Sequence, residues 1–249
     1  MTLDKGRNPK TKKLRAIKKE RTRQTIHTEA EKLFSEKPFN EVILEDIADA
    51  AVVSRTTLYN YFKNKDAIFF GIGIEHFEEL INLYGMNYSD KLSGIDQVLQ
   101  FCKIGFTFGR DNPLTQDIIR EFYRRIQYSN ISLEDWSAKY RKFIAKHRVG
   151  TEQHEELLEE YDEPYLFEFY FMLERHNHLW INAIKKGKSD GTIKTDLNEK
   201  QIVEFLYMIL MGIEAEMNLR ESTLNRIGLN DSTIEEHIMN LITSFLGKK

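Results

Sequence analysis

A single cysteine, Cys102, excludes an intrachain disulfide and any thiolate cluster of the kind that holds zinc or an iron–sulfur centre. A reducing cytoplasm is the compartment this favours. Prolines are nearly as scarce, four among 249 residues, which leaves room for long uninterrupted helices. Long apolar runs are missing as well. The longest, Phe205–Ile213, is stopped by Glu204 and Glu214, far short of the roughly 20 residues that cross a bilayer. The N-terminus also lacks the apolar stretch of a secretion signal, so neither a membrane partner nor export is expected. Sustained alternation of apolar and polar residues, the mark of a half-buried strand, is absent too. An all-α fold is therefore expected.

What is present is a globular composition, 41% hydrophobic and 30% charged, in a chain long enough for one small module and one larger one. The net charge of −3 conceals an asymmetry. Residues 1–23 carry ten Lys and Arg against Asp4 and Glu20, a net of +8, which leaves −11 on the remaining 226 residues. A basic end on an acidic body suits a polyanion, because each phosphate neutralised releases condensed counterions. A disordered solubilising tail would have the same charge run, and the run by itself leaves both readings open.

Beyond this basic arm, residues 1–20, helical spacing covers nearly all of the chain. Ile26, Ala30, Leu33 and Phe34 share one face of a helix over Thr22–Ser35, which Lys37-Pro38 ends. A short helix spans about Leu44–Ala50, with Leu44, Ile47 and Ala48 facing inward. A third starts after Ser54, a good N-cap, and turns Leu58, Tyr61 and Phe62 inward. Three helices in so few residues, the last two joined by Ala51, Val52 and Val53, make a helix-turn-helix over 21–66. Longer helices follow over Asp66–Tyr84, Gly94–Phe108, Asn112–Ser129, Ser132–Lys146, Pro164–Lys186, Glu199–Arg220 and Ser232–Leu246. The stretch Thr151–Glu160 is acidic and reads equally as a loop or an exposed helix.

The string from Leu44 to Asp66 is the most specific feature. It holds Asp46-Ile47-Ala48, then Val53-Ser54, then Thr57-Leu58-Tyr59-Asn60-Tyr61-Phe62, then Lys65-Asp66. It resembles the signature of the tetracycline-repressor (TetR) family of transcriptional regulators almost position for position. Two positions depart from the pattern. Val52 stands where many members have Gly, so that residue must avoid positive φ or accept strain. Ile43 stands where a capping Thr is common, which weakens the start of the second helix by up to about 1 kcal/mol.

The second helix of such a motif lies in the major groove of double-stranded DNA. Its exposed residues Ser54, Arg55, Thr56, Thr57, Tyr59 and Asn60 are the candidate contacts. Arg55 matches the O6 and N7 acceptors of guanine, and the two threonines suit base edges or a thymine methyl. The resemblance implies phosphate contacts from Tyr59, Asn60 and Lys65, and Thr25 is a further phosphate candidate. Leu58 and Phe62 have core spacing. An ordinary solvated helix face remains the alternative for Arg55, Thr56 and Tyr59.

For residues 67–249 the resemblance implies a helical effector-binding and dimerisation domain. Phe205–Ile213 is apolar on every face, and Ile234, Ile238, Leu241, Ile242 and Phe245 form a stripe on the last helix. Both suit a four-helix homodimer interface, as the resemblance implies, or burial within one chain. Aromatic residues concentrate in this domain, and Phe122, Tyr123, Phe169, Leu173, His176 and Trp180 are the candidate lining of a pocket for a small hydrophobic or aromatic effector. Core packing is the competing role for each ring. The implied mechanism has effector binding move the helix that starts at Asp66, change the separation of the two recognition helices and release a palindromic operator. A family member without an effector and a helical metal-dependent protein are the alternatives.

No catalytic constellation or resident cofactor is expected. Gly71-Ile72-Gly73 opens like a dinucleotide motif, but His76 occupies the third glycine position and no strand precedes it. Glu174 and His178 are four residues apart and could share a metal, but no third ligand is near in sequence. Cys102 lies in an apolar helix and reads as a buried, inert thiol.

Overall fold

The computed structural model describes residues 9–128, 132–138 and 164–247, and every regular element among them is a helix. In chain order these are α1 (Pro9–Glu36), α2 (Leu44–Ala50), α3 (Arg55–Tyr61), α4 (Lys65–Met86), α5 (Gly94–Asp111) and α6 (Leu114–Tyr128). Then come α7 (Pro164–Ser189), α8 (Glu199–Arg226) and α9 (Asp231–Phe245). Residues 133–138 are also helical. The rest of the expected Ser132–Lys146 helix, like the acidic stretch Thr151–Glu160, lies outside the described residues.

Local chemistry accounts for most of the helix ends. Pro9 and Pro164 open α1 and α7, where a first-turn N–H has no intrahelical partner to lose. Asn198 and Gln201 form a reciprocal capping box at the start of α8. Ser93 and Asn230 cap α5 and α9 by accepting from the N–H of Asp96 and Thr233. Ile43 caps nothing with its side chain, as its chemistry requires.

Two boundaries differ from the sequence reading by more than three residues. Helix α1 begins at Pro9 instead of Thr22. Residues 10–21 contain no helix breaker, and the apolar residues Leu14 and Ile17 remain exposed, so this stretch has the propensity for a helix but no apolar face that periodicity could detect. Helix α8 passes the expected end at Arg220 and runs to Arg226 through a kink, with Arg220 at φ −120° and ψ 16°.

The chain divides into two compact units, residues 1–72 and 73–249. In the first, Ile26, Ala30 and Phe34 of α1 are buried together with Ile47 and Ala48 of α2, Leu58 of α3, Phe62, and Ala67–Phe70 of α4. Phe69 packs its ring at 4.9 Å from that of Phe34 and 4.7 Å from that of Phe39. Each large side chain removed from water contributes roughly 1.5–3 kcal/mol. The turn between α2 and α3 places Val52 at φ 54° with 90% of its surface exposed. A β-branched residue in the left-handed region costs about 1–2 kcal/mol, and this one makes no packing contact to offset the cost.

In the second unit α5 packs against α7, α8 and α9. Gly94 and Gly187 permit the α5–α7 approach, since a Cβ on Gly94 would overlap the backbone of Gly187. The core combines Tyr84, Phe101 and Phe106 with Trp180 and Ile184 of α7, Ile202 and Leu206 of α8, and Ile238 and Ile242 of α9. Cys102 is among these buried residues, and burial pushes its thiol well above the ordinary range, which makes it a poor nucleophile. One carboxyl is also buried there. Glu214 accepts from the amide of Gln116 at 2.5 Å, beside Gly109, where a Cβ would overlap it.

Burial pushes the Glu214 carboxyl up to about 7, against the opposing effects of Gln116 and Arg110. An unfolded chain releases the same proton near its ordinary 4.5. The folded state therefore binds this proton more tightly; the stability it contributes is complete below the unfolded value and is lost as pH rises through about 7.

Two outcomes are expected in thermal melts. Val52→Gly removes the strain of about 1–2 kcal/mol and loses the roughly 0.5–1 kcal/mol by which glycine favours the unfolded chain, so the melting temperature should rise by the equivalent of up to about 1.5 kcal/mol; a lower melting temperature would show that the turn is unstrained. Glu214→Gln keeps an acceptor for Gln116 and has nothing to ionise, so its stability should fall less than the parent's between about pH 5 and pH 8. Parallel profiles for the two proteins would rule out a buried, protonated Glu214.

Candidate functional site

Helix α3 has seven residues, too few to persist alone in water. Its cap and its core contacts hold it. Ser54 Oγ accepts from the N–H of Thr57 at 3.1 Å, and the two hydroxyls lie 2.8 Å apart. Leu58 and Phe62, 1% and 3% exposed, anchor the inner side. Arg55, Thr56, Tyr59 and Asn60 all face solvent, whereas Thr57 and Tyr61 are half-buried. The structure thus brings four of the expected contacts onto one exposed surface and turns Ser54 and Thr57 towards each other.

Arg55 Nη1 pairs with Glu45 Oε1 at 3.2 Å while 69% of the Arg55 side chain remains exposed. A pair this open is worth less than about 1 kcal/mol, so an acceptor of better geometry can displace Glu45. Lys65 is placed differently. Its ammonium donates to the carbonyls of Phe39 at 2.5 Å and Val42 at 2.8 Å, over the Phe39 ring, and so ties the loop before α2 to the start of α4. Thr25 is exposed in the middle of α1, with its hydroxyl donating to Arg21 O at 2.9 Å.

Residues 13–20 of α1 are exposed throughout. Lys13, Arg15, Lys18 and Lys19 project there in different directions around the axis, as their spacing on a 3.6-residue turn requires.

In the second unit a cleft of about 260 Å³ is lined by Phe77 of α4, Ile119 and Tyr123 of α6, Leu173 of α7, and Glu204, Tyr207, Met208 and Met211 of α8. Of the six residues expected to line a pocket, Tyr123 and Leu173 do so. Phe122 and Phe169 are buried and pack at 5.4 Å from each other. His176 and Trp180 are buried beneath Tyr207. Phe77, Ile119 and the four α8 residues escaped the sequence reading because a cleft shared by four helices leaves no periodic trace in any one of them. The all-round apolar run Phe205–Ile213 was the available sign.

His176 orders this region. Burial lowers its pKa to about 3, so the ring is neutral. Nε2 faces the Trp180 indole N–H and the Tyr84 hydroxyl, each at 3.3 Å. With Nε2 accepting, Nδ1 carries the proton and donates to the Tyr207 hydroxyl, which in turn donates to Asn177 Oδ1 at 3.0 Å. Tyr207 therefore presents its ring to the cleft while its hydroxyl points inward. The Tyr123 hydroxyl is pushed up to about 12, first by partial burial and then by the carboxylates of Glu204 and Glu174.

The metal and dinucleotide patterns gain no support. Among the described residues no group of three or more His, Cys, Asp or Glu side chains is placed to hold a metal, so Glu174 and His178 have no third ligand there. Gly71-Ile72-Gly73 lies inside α4. No helix among the described residues is long and apolar enough to cross a membrane.

A capped seven-residue helix with an exposed polar face, set after a short helix and a tight turn, makes a helix-turn-helix, and a separate helical unit follows it. Residues 26–72 match the family profile of bacterial regulatory proteins, tetR family. No curated protein matches the chain. Among solved structures, the fatty acid degradation regulator FadR from Bacillus halodurans aligns over 98% of this chain and 100% of its own, with a TM-score of 0.62 at 13% identity. FadR from Bacillus subtilis, solved in complex with stearoyl-CoA, aligns over 89% of this chain and 97% of its own, at 0.62 and 14%. The ketosteroid regulator KstR2 of Mycobacterium tuberculosis aligns over 91% and 95%, at 0.60 and 12%. These likenesses establish the fold.

Proposed function

We propose that the protein is a cytoplasmic repressor that binds a palindromic operator as a homodimer and leaves it when a small hydrophobic ligand occupies the second unit. The observation that carries this reading is the exposed row Arg55, Thr56, Tyr59 and Asn60 on a helix fixed by Leu58 and Phe62. Arg55 reads a guanine edge in exchange for Glu45, Thr56 touches a neighbouring base, and Tyr59 and Asn60 hold phosphates. Ser54 and Thr57 act chiefly by fixing the helix start. Lys65 serves the interface through the loop it ties, and the basic residues of α1 add affinity that salt screens.

Dimerisation is supported by apolar side chains left exposed on the last two helices. Phe205, Met208 and Leu219 of α8 and Leu241 of α9 are 39–80% exposed, and Phe205 stacks on Phe245 at 4.4 Å. A two-fold pair of such chains offers two recognition helices to half-sites about 34 Å apart. The cleft supports the ligand-responsive part of the reading, as does the ligand seen in one structural neighbour, stearoyl-CoA. Because α4 forms part of the first unit's core and contributes Phe77 to the cleft wall, it is the covalent route by which occupancy changes the spacing of the recognition helices.

Binding to DNA selected from a random pool, measured across salt concentrations, tests this reading. Arg55→Ala should cost about 1–3 kcal/mol and relax the preference at one base position, while deletion of residues 1–20 should mainly flatten the salt slope. An Arg55→Ala protein that binds every sequence as the parent does would refute the base-reading role.

A further inference from the structure

We propose that the cleft on α8 selects a lipophilic cation, an alkylamine or quaternary ammonium with a single hydrocarbon tail, over carboxylates of the same length and over long-chain acyl-CoA thioesters. This rests on the reading of the cleft as the effector site, and adds the sign of charge that the site accepts.

Among the described residues the lining has one carboxyl, Glu204, and no Lys, Arg or His. A second carboxylate lies close by. Glu174 of α7 acts on Glu204 and on both cleft tyrosines, Tyr123 and Tyr207, and so shares their surroundings. On α6, Arg124 and Arg125 both hold Glu121, at 2.6–2.9 Å, and Arg120 pairs with Asp117. His176, beneath Tyr207, is neutral and hydrogen-bonded on both ring nitrogens. The Glu204 carboxyl is held above its ordinary range, first by burial and then by Glu174.

The remaining walls suit the rest of such a molecule. Phe77, Tyr123 and Tyr207 offer ring faces, whose quadrupoles attract an ammonium. Ile119, Leu173, Met208 and Met211 offer apolar surface for a tail, and methionine adapts to irregular shapes. The volume of about 260 Å³ lies near the lower end of small-molecule pockets, ~300–1,000 Å³, and fits one short chain. A carboxylate or a CoA phosphate placed here would sit beside two like charges.

The test is calorimetric titration of the full-length protein with decyltrimethylammonium, decanoate, 1-decanol and stearoyl-CoA, each below its micellar concentration. Decyltrimethylammonium should bind at least about tenfold more tightly than decanoate or stearoyl-CoA. Glu204→Gln and Glu174→Gln should each weaken the cation about tenfold and leave decanol within twofold. If decanoate or stearoyl-CoA binds as well as the cation, or if neither substitution changes the cation's affinity, the charge assignment is overturned while the effector cleft stands. If none of the four binds, the effector reading fails and the charge assignment with it.

Discussion

The recognition surface depends on the burial of Leu58 and Phe62. A single turn or two of helix has too few internal hydrogen bonds to offset the entropy of ordering it, so α3 keeps its shape only while these two side chains occupy the core formed by α1, α2 and the start of α4. Exposure of Arg55, Thr56, Tyr59 and Asn60 is the other side of that constraint: spacing that directs positions 58 and 62 inward directs these four outward. The Ser54 cap and the Lys65 tie reinforce the same geometry from either end of the helix. The exposure of this face and the stability of the unit therefore rest on the same few residues.

The second unit rests on aromatic packing with a few polar groups satisfied in chains. His176 is the clearest case. Neutral and hydrogen-bonded on both ring nitrogens, it fixes Tyr207 and so sets the floor of the cleft without meeting the cleft itself. Tyr84 and Trp180 close around the same ring. His176, expected to line a pocket, thus lies one layer deeper and holds an aromatic face of the cleft.

Most of the fold was legible in the sequence because each long helix has an apolar face and a defined end. The expected starts at Gly94, Pro164 and Glu199 coincide with those of α5, α7 and α8. The exceptions share a cause: where a helix has no buried face, as in residues 9–21, periodicity is silent and propensity alone decides. The exposed face of α3 was legible for a different reason. Helix-turn-helix chemistry is local, so Ser54 to Asn60 can be read in one stretch. Lys65 shows the limit, because its carbonyl partners at Phe39 and Val42 lie more than twenty residues away in sequence. The cleft was legible only at Tyr123 and Leu173, since its walls come from four helices and depend on how those helices pack.

The basic segment of α1 has a consequence for how such a protein would find its site. Charges that point in every direction around a helix axis carry no rotational phase, so a phosphate backbone meets them equally well whichever side approaches. A contact of that kind holds a protein near DNA without fixing its register, and lets it travel along the duplex while α3 samples one groove position after another. Placed on the first unit itself, the segment would speed the search for an operator as much as it would strengthen the final complex.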